Sequence, residues 1–106
     1  MNVGEDSHSS IGIYCSLSNN CEISGNNISS SNLNAGQNHY GIYLNTSDRN
    51  VSQGNNIDLV NNAAQDIGIY LDANSDNNQG GDNITYNVGT SISDNGAGNA
   101  VTAQDV

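Results

Sequence analysis

The chain has 106 residues, enough for one domain, with 11 acids against a single base, Arg49, and a formal charge of −10. That balance excludes nucleic acid and anionic membranes as partners, because phosphate contacts need cations. Hydrophobic residues make up 34%, with no Phe, Trp or Pro, and no stretch is long enough to span a bilayer, so membrane insertion is not expected.

Composition of this kind leans towards disorder, but the apolar residues keep a fixed register that a disordered tract would not keep. In chain order, Met1-Asn2-Val3 reads as the tail of an incomplete unit, matching Asn27-Ile28. Polar residues follow Met1, so no signal peptide is visible. The first full unit runs from Gly12 to Ile28, the second from Gly41 to Ile57, the third from Gly68 to Ile84. The unit starts lie 29 and then 27 residues apart, a period that marks a repeat architecture.

Each unit opens on Gly-Ile-Tyr followed by Cys15, Leu44 or Leu71. The aliphatic residues sit two apart, which is strand period, and the tyrosines point the other way. A second short strand is expected around Ile28, Ile57 and Ile84. Between the two strands Ile23, Val51 and Gln79 do not align, so the middle of the unit reads as irregular. Gly25, Gly54 and Gly81 read as corners, since Gly and Asn tolerate left-handed backbone angles. Asn, Ser, Gly and β-branched residues argue against helix. A degenerate fourth unit is expected from Gly98, with Val101 at the Leu position.

A unit of this size cannot bury its own apolar side, but stacked copies can, each strand pairing with its equivalent about 4.8 Å away. The expected architecture is all-β: a single parallel β-solenoid over residues 1–106 with about four coils and a period of 27–29 residues.

The Gly-Ile-Tyr-Leu and Gly-Asn-Asn-Ile elements of residues 12–84 resemble the right-handed parallel β-helix repeats of the pectin-lyase-like class. Within it they are most similar to NosD-like and carbohydrate-binding or sugar-hydrolase repeats. The resemblance implies the fold and the right hand of the coil. For activity it implies several things at once, since such repeats serve lyases, epimerases, glycosidases, adhesins and structural proteins alike. A lyase of this class would need a base and Arg49 is the one candidate, placed in a loop opposite Asn20 and Asp76. No paired carboxylates recur at one strand position, so no catalytic constellation is legible and no enzyme is expected.

Four features remain as candidate sites. Tyr14, Tyr43 and Tyr70 form an outward stripe, read as structural stacking, subunit contact or a carbohydrate platform. Asp72, Asn74 and Asp76 alternate as in oxygen-rich calcium loops, although Asn77 and Asn83 stand where such a loop needs Gly and Glu. Calcium is the one cofactor considered; the competing reading is a solvated Asx-rich corner. Cys15 and Cys21 are the pair available for a disulfide in an oxidising compartment, set against the reading of Cys15 as a core residue in the Leu44/Leu71 column and with Cys21 opposite Asn50 and Asn77. His8 and His39 precede the first two units at unequal offsets and supply too few ligands for copper or zinc. Asn27, Asn45, Asn50 and Asn83 head N-glycosylation patterns.

No capping helix, Pro or Lys is legible at either end, so the expectation is a stack with two open ends. The functional expectation is a structural, non-catalytic solenoid whose partner is itself, stacking end to end outside the cell as a filament or surface-fibre subunit. The alternative is a segment of a carbohydrate-binding or carbohydrate-active β-helix protein that takes a polysaccharide on the Tyr14/Tyr43/Tyr70 face.

Overall fold

The computed structural model describes residues 2–3, 10–30, 37–60 and 65–106. Among these the chain is all-β, with no helix. In chain order the strands are β1 (Asn2–Val3), β2 (Ser10–Ser16), β3 (Glu22–Ser24), β4 (Asn27–Ser30), β5 (His39–Asn45), β6 (Val51–Gln53), β7 (Asn56–Asp58), β8 (Asp66–Leu71), β9 (Gln79–Tyr86), β10 (Thr90–Asp94) and β11 (Ala100–Asp105).

Every pairing is parallel, and each joins a strand to its equivalent in the next repeat. One sheet has the order β10-β8-β5-β2; the other runs β1-β4-β7-β9-β6-β3, with β11 also on β9. In the first sheet Ile13, Ile42, Ile69 and Ile92 fall in one column, and Cys15, Leu44, Leu71 and Asp94 in the next. Side chains from both sheets meet in one apolar cluster around Ile23, Ile28, Ile42, Leu44, Ile57, Leu59, Ile69, Leu71 and Val88.

The repeated glycine before each Ile follows from this packing. A Cβ on Gly41 would run into the Ile57 side chain and the Gly68 carbonyl, and one on Gly68 would meet the Ser91 carbonyl and Thr85. Only a residue without a side chain lets the two sheets approach at that level.

The corners are held by side-chain amides. Asn50 is fully buried; its Oδ1 accepts the Cys21 N–H at 2.8 Å, and its Nδ2 donates to the Ser18 carbonyl at 2.8 Å. Asn78 does the same one repeat on, accepting from the Asn50 N–H at 2.8 Å and donating to the Ser47 carbonyl at 2.9 Å. Asn99 continues the ladder, accepting from Asn78 and donating to Ser75. A second ladder links Asn26, Asn55 and Asn83, with Asn55 donating to the Ile23 carbonyl and Asn83 to Ser52. Ser47 and Ser75 form a third, each hydroxyl accepting an N–H from the preceding repeat. These groups answer the corner N–H and C=O groups that the strands leave unpaired inside the protein.

Several expectations change here. The third repeat carries one extra residue at the turn Asp72–Ser75, where the Ser75 N–H donates to the Asp72 carbonyl. The repeat offset is 27 before it, as in His39 and Asp66, and 28 after it, as in Ser47 and Ser75. Everything downstream slips by one. Thr85, not Ile84, lies over Ile57 and Ile28. Asp82, not Gly81, takes the left-handed corner of Gly25 and Gly54, at φ 56° against 66° and 65°. Asn78, not Asn77, follows Asn50, and Arg49 shares its left-handed corner with Asn20 and Asn77. The middle of the unit is regular: Glu22, Val51 and Gln79 pair in register, as do Ile23 and Ser52. The fourth repeat opens at Thr90 with Ile92 in the Ile column, rather than at Gly98; Val101 sits beside Gly80 in the other sheet. Asn2 and Val3 pair with Ser29 and Ser30, two residues beyond the match with Asn27-Ile28.

The amide ladders predict an uneven response to alanine. Asn78→Ala strands two buried backbone groups, the Asn50 N–H and the Ser47 carbonyl, and is expected to cost roughly 2–4 kcal/mol in urea unfolding. Asn56→Ala, at an exposed position, is expected to stay within about 0.5 kcal/mol. Equal losses would refute the ladder as the source of corner stability.

Candidate functional site

Strands β2, β5 and β8 bring Tyr14, Tyr43 and Tyr70 into register on the outer face. Tyr40, which was not among the expected residues, joins them because its strand position is also outward. Tyr43 lies 4.9 Å from Tyr40 and 4.7 Å from Tyr70 between ring centres, and Tyr14 meets Tyr43 edge-on at 5.3 Å and 87°. The four rings are mutually tilted, so they satisfy one another as aromatic pairs and do not form a flat shelf. Tyr14 is the most open at 52% exposure, and Asn45 Nδ2 donates to its hydroxyl at 2.6 Å. The spacing gave no signal for Tyr40, since three residues before Tyr43 falls on the opposite face of a regular strand, yet the two rings are in contact.

Burial and the neighbouring Tyr70 hydroxyl raise the Tyr40 phenol above its ordinary range. Tyr43 is raised by burial first, then by Tyr70, Tyr40, Asp72 and Tyr14.

The calcium candidates are engaged with the backbone. Asp72 Oδ1 accepts from the Thr46 N–H, the Asn74 N–H and the Ser75 hydroxyl at 3.1, 3.1 and 2.8 Å. Asp76 Oδ1 accepts from the Ala97 N–H at 2.8 Å, and Asn74 is exposed. These carboxylates cap corner amides. Among the described residues no group of three or more His, Cys, Asp or Glu is placed to hold a metal.

Cys15 and Cys21 are both free thiols, the first half-buried at the edge of the core and the second exposed. Burial raises the Cys15 thiol, with negative charge on Cys21 adding to the rise. Of the glycosylation patterns, Asn50 and Asn83 are buried with their amides donated inside the protein, so neither is open to modification.

His8 lies outside the described residues. His39 is fully buried, its Nδ1 2.7 Å from Asp66 Oδ1, while its Nε2 has no hydrogen-bond partner. The pair was missed in the sequence, yet its signal was there: Ser10, His39 and Asp66 each stand two residues before the repeat glycine, and they are in register. An open depression of about 370 Å³ on the other sheet is lined by Glu22, Val51, Gln53, Gln79 and Gly80, with Gln53 Nε2 donating to Glu22 at 3.3 Å.

No family model matches the chain, and no curated protein or solved structure matches it.

Two predictions follow from the titrating groups. Because folding raises the phenol pKa values of Tyr40 and Tyr43 above 10.0, the unfolded chain loses those protons first, and stability falls as pH rises through and above 10. The double substitution Tyr40→Phe/Tyr43→Phe is expected to flatten that alkaline decline, read by urea midpoints across pH. For the thiols, timed alkylation read by mass spectrometry is expected to modify Cys21 about tenfold faster than Cys15, since the thiolate is the nucleophile and burial disfavours it. Equal rates would mean the edge of the core is open to reagent.

Proposed function

We propose that the chain is a right-handed parallel β-solenoid of about four coils with a structural, non-catalytic role, self-associating end to end as a subunit of an extracellular filament or surface fibre. One observation carries this reading. Along the in-register columns Ile42, Ile69, Leu44 and Leu71 are fully buried, whereas on edge strand β2 Ile13 and Cys15 are half-buried and Ile11 is 37% exposed. The β2 edge therefore presents an unfinished column together with the backbone groups of an edge strand. A strand of the same pattern completes both. A head-to-tail contact of this kind does not close on itself and generates a filament.

Two further features support it. The in-register parallel pairing suits rung upon rung of a solenoid, whose stability is the sum of nearest-neighbour contacts. The buried amides and hydroxyls that a catalytic site would turn to substrate are spent here on neighbouring backbone. The charge of −10 keeps filaments from bundling sideways.

A second reading has its own observation. The Tyr14/Tyr40/Tyr43/Tyr70 patch lies outward beside Asn45, an aromatic and amide surface suited to a polysaccharide. Saturable glycan binding that Tyr14→Ala removes would favour it.

Negative-stain electron microscopy of the purified protein over a range of concentrations tests the main reading. Filaments that lengthen with concentration are expected. Discrete particles of monomer size at every concentration would sink it.

A further inference from the structure

The chain carries five tyrosines and no Phe or Trp, and Tyr14, Tyr40, Tyr43 and Tyr70 meet in one patch on the outer face of the sheet β10-β8-β5-β2. Tyr86 on β9 lies in the other sheet. Cross-strand stacking uses the rings of the patch. The hydroxyls bring a second chemistry. A phenol that gives up one electron and its proton becomes a phenoxyl radical, and its unpaired electron is shared with the ring carbons ortho to oxygen. Two such radicals held side by side join through those carbons. Tyr43 and Tyr70 are the nearest pair, at 4.7 Å between ring centres, with their planes at 51°. That tilt suits the twisted rings of a biaryl, whereas Tyr14–Tyr43 at 87° and Tyr40–Tyr43 at 78° stand edge to face. Tyr40–Tyr70 is tilted by 53° but lies at 5.2 Å.

We infer that Tyr43 and Tyr70 are a site of oxidative phenol coupling, which bolts the second repeat to the third through an o,o′-dityrosine bond. The oxidant is hydrogen peroxide acting through a haem peroxidase. Each phenol gives one electron and one proton, and the peroxide takes both pairs and becomes two waters. A bond forms between one Cε of Tyr43 and one Cε of Tyr70. The hydrogen on each of these carbons then leaves as a proton, and each oxygen regains one, so both hydroxyls survive and the pair has lost two hydrogens. Both rings are partly exposed, so the electrons leave at the surface. Radicals already in contact meet without diffusion, an advantage equal to a high effective concentration. Coupling within one chain therefore outruns coupling between chains in dilute solution. The bond closes a loop from residue 43 to residue 70 and restricts the unfolded chain as a disulfide does. The site needs only β5 beside β8 and is independent of the end-to-end reading.

The test treats the full chain, dilute and folded, with a haem peroxidase and limiting hydrogen peroxide. A thiol reductant follows, so that a disulfide between Cys15 and Cys21 does not mimic the loss of two hydrogens. The expected product is a monomer lighter by two hydrogens, with dityrosine fluorescence, a cross-linked peptide pair holding Tyr43 and Tyr70, and a raised urea midpoint. Tyr70→Phe is expected to remove that peptide pair and the rise in midpoint, and Tyr86→Phe to leave both unchanged. Circular dichroism checks the fold of each variant. If Tyr70→Phe misfolds, the native chain oxidised in urea takes its place, and the Tyr43–Tyr70 pair must give way to products scattered over all the tyrosines. A dominant pair other than Tyr43–Tyr70 overturns the inference. So do cross-links found only between chains, the same products from folded and unfolded protein, or no dityrosine at all.

Discussion

The structure depends on how buried corners keep their backbone hydrogen bonds. A parallel strand pairs fully with its neighbours, but the turns between strands cannot, and here they sit against an apolar cluster. Each unpaired buried N–H or C=O would cost about 1–3 kcal/mol. Asn50, Asn78 and Asn99 meet that cost from the side, with one amide taking an N–H and giving to a C=O of the preceding repeat. Asparagine suits the task because its short side chain carries both an acceptor and two donors. The high Asn and Ser content, which by bulk composition points to disorder, is what permits so small an apolar core to be folded around.

The Asn50–Asn78–Asn99 ladder has a direction. Asn50, Asn78, Asn99, Ser47 and Ser75 reach back towards the preceding repeat, whereas Asn19, Asp48 and Asp76 accept N–H groups of the repeat that follows, and Asn83 donates both ways. At the first corner the ladder begins on Cys21, which contributes only its backbone N–H to Asn50. At the other end Asn99 divides its amide between the Ser75 carbonyl and Asp94. The Asn50–Asn78–Asn99 ladder is therefore directional, and the core column beside it also changes along the repeats, from Ile28 and Ile57 to Thr85 and Asp105.

The strand columns were legible because Gly-Ile-Tyr carries two periods at once, alternation along the strand and recurrence between repeats. Where a column failed, the cause was a single inserted residue. Aligning Ile84 with Ile57 by eye gives an offset of 27, but the turn Asp72–Ser75 makes the working offset 28. Sequence similarity follows residue type, whereas register follows hydrogen bonding, and Asn83 in the Asn55 slot outweighs an Ile in the Ile57 slot. The cost of exposing Ile84 partly is less than that of orphaning a corner. The fourth repeat was misplaced for the same reason: Gly98 looked like the repeat glycine, while the position over Gly68 is held by Ser91, next to Ile92 in the Ile column. Of the candidate sites, the tyrosine column was legible from spacing. The His39–Asp66 pair was not, because in register it joins unlike residues and a search for repeated letters passes over it.

That pair shows what a repeat can hide. Most columns stack like on like, so a departure within the core marks a position under a different demand. The column of Ser10, His39 and Asp66 is the one interior place among the described residues where hydroxyl, imidazole and carboxylate succeed one another. Its His–Asp bond at 2.7 Å is fully buried, and His39 Nε2 is left without a partner in a protein that otherwise satisfies its buried amides so thoroughly. A buried nitrogen without a partner opposes folding by about 1–3 kcal/mol. The Nδ1–Asp66 bond offsets that, since a hydrogen bond contributes about 0.5–1.5 kcal/mol net. The two terms are of one size, so the His39–Asp66 bond by itself contributes little net stability.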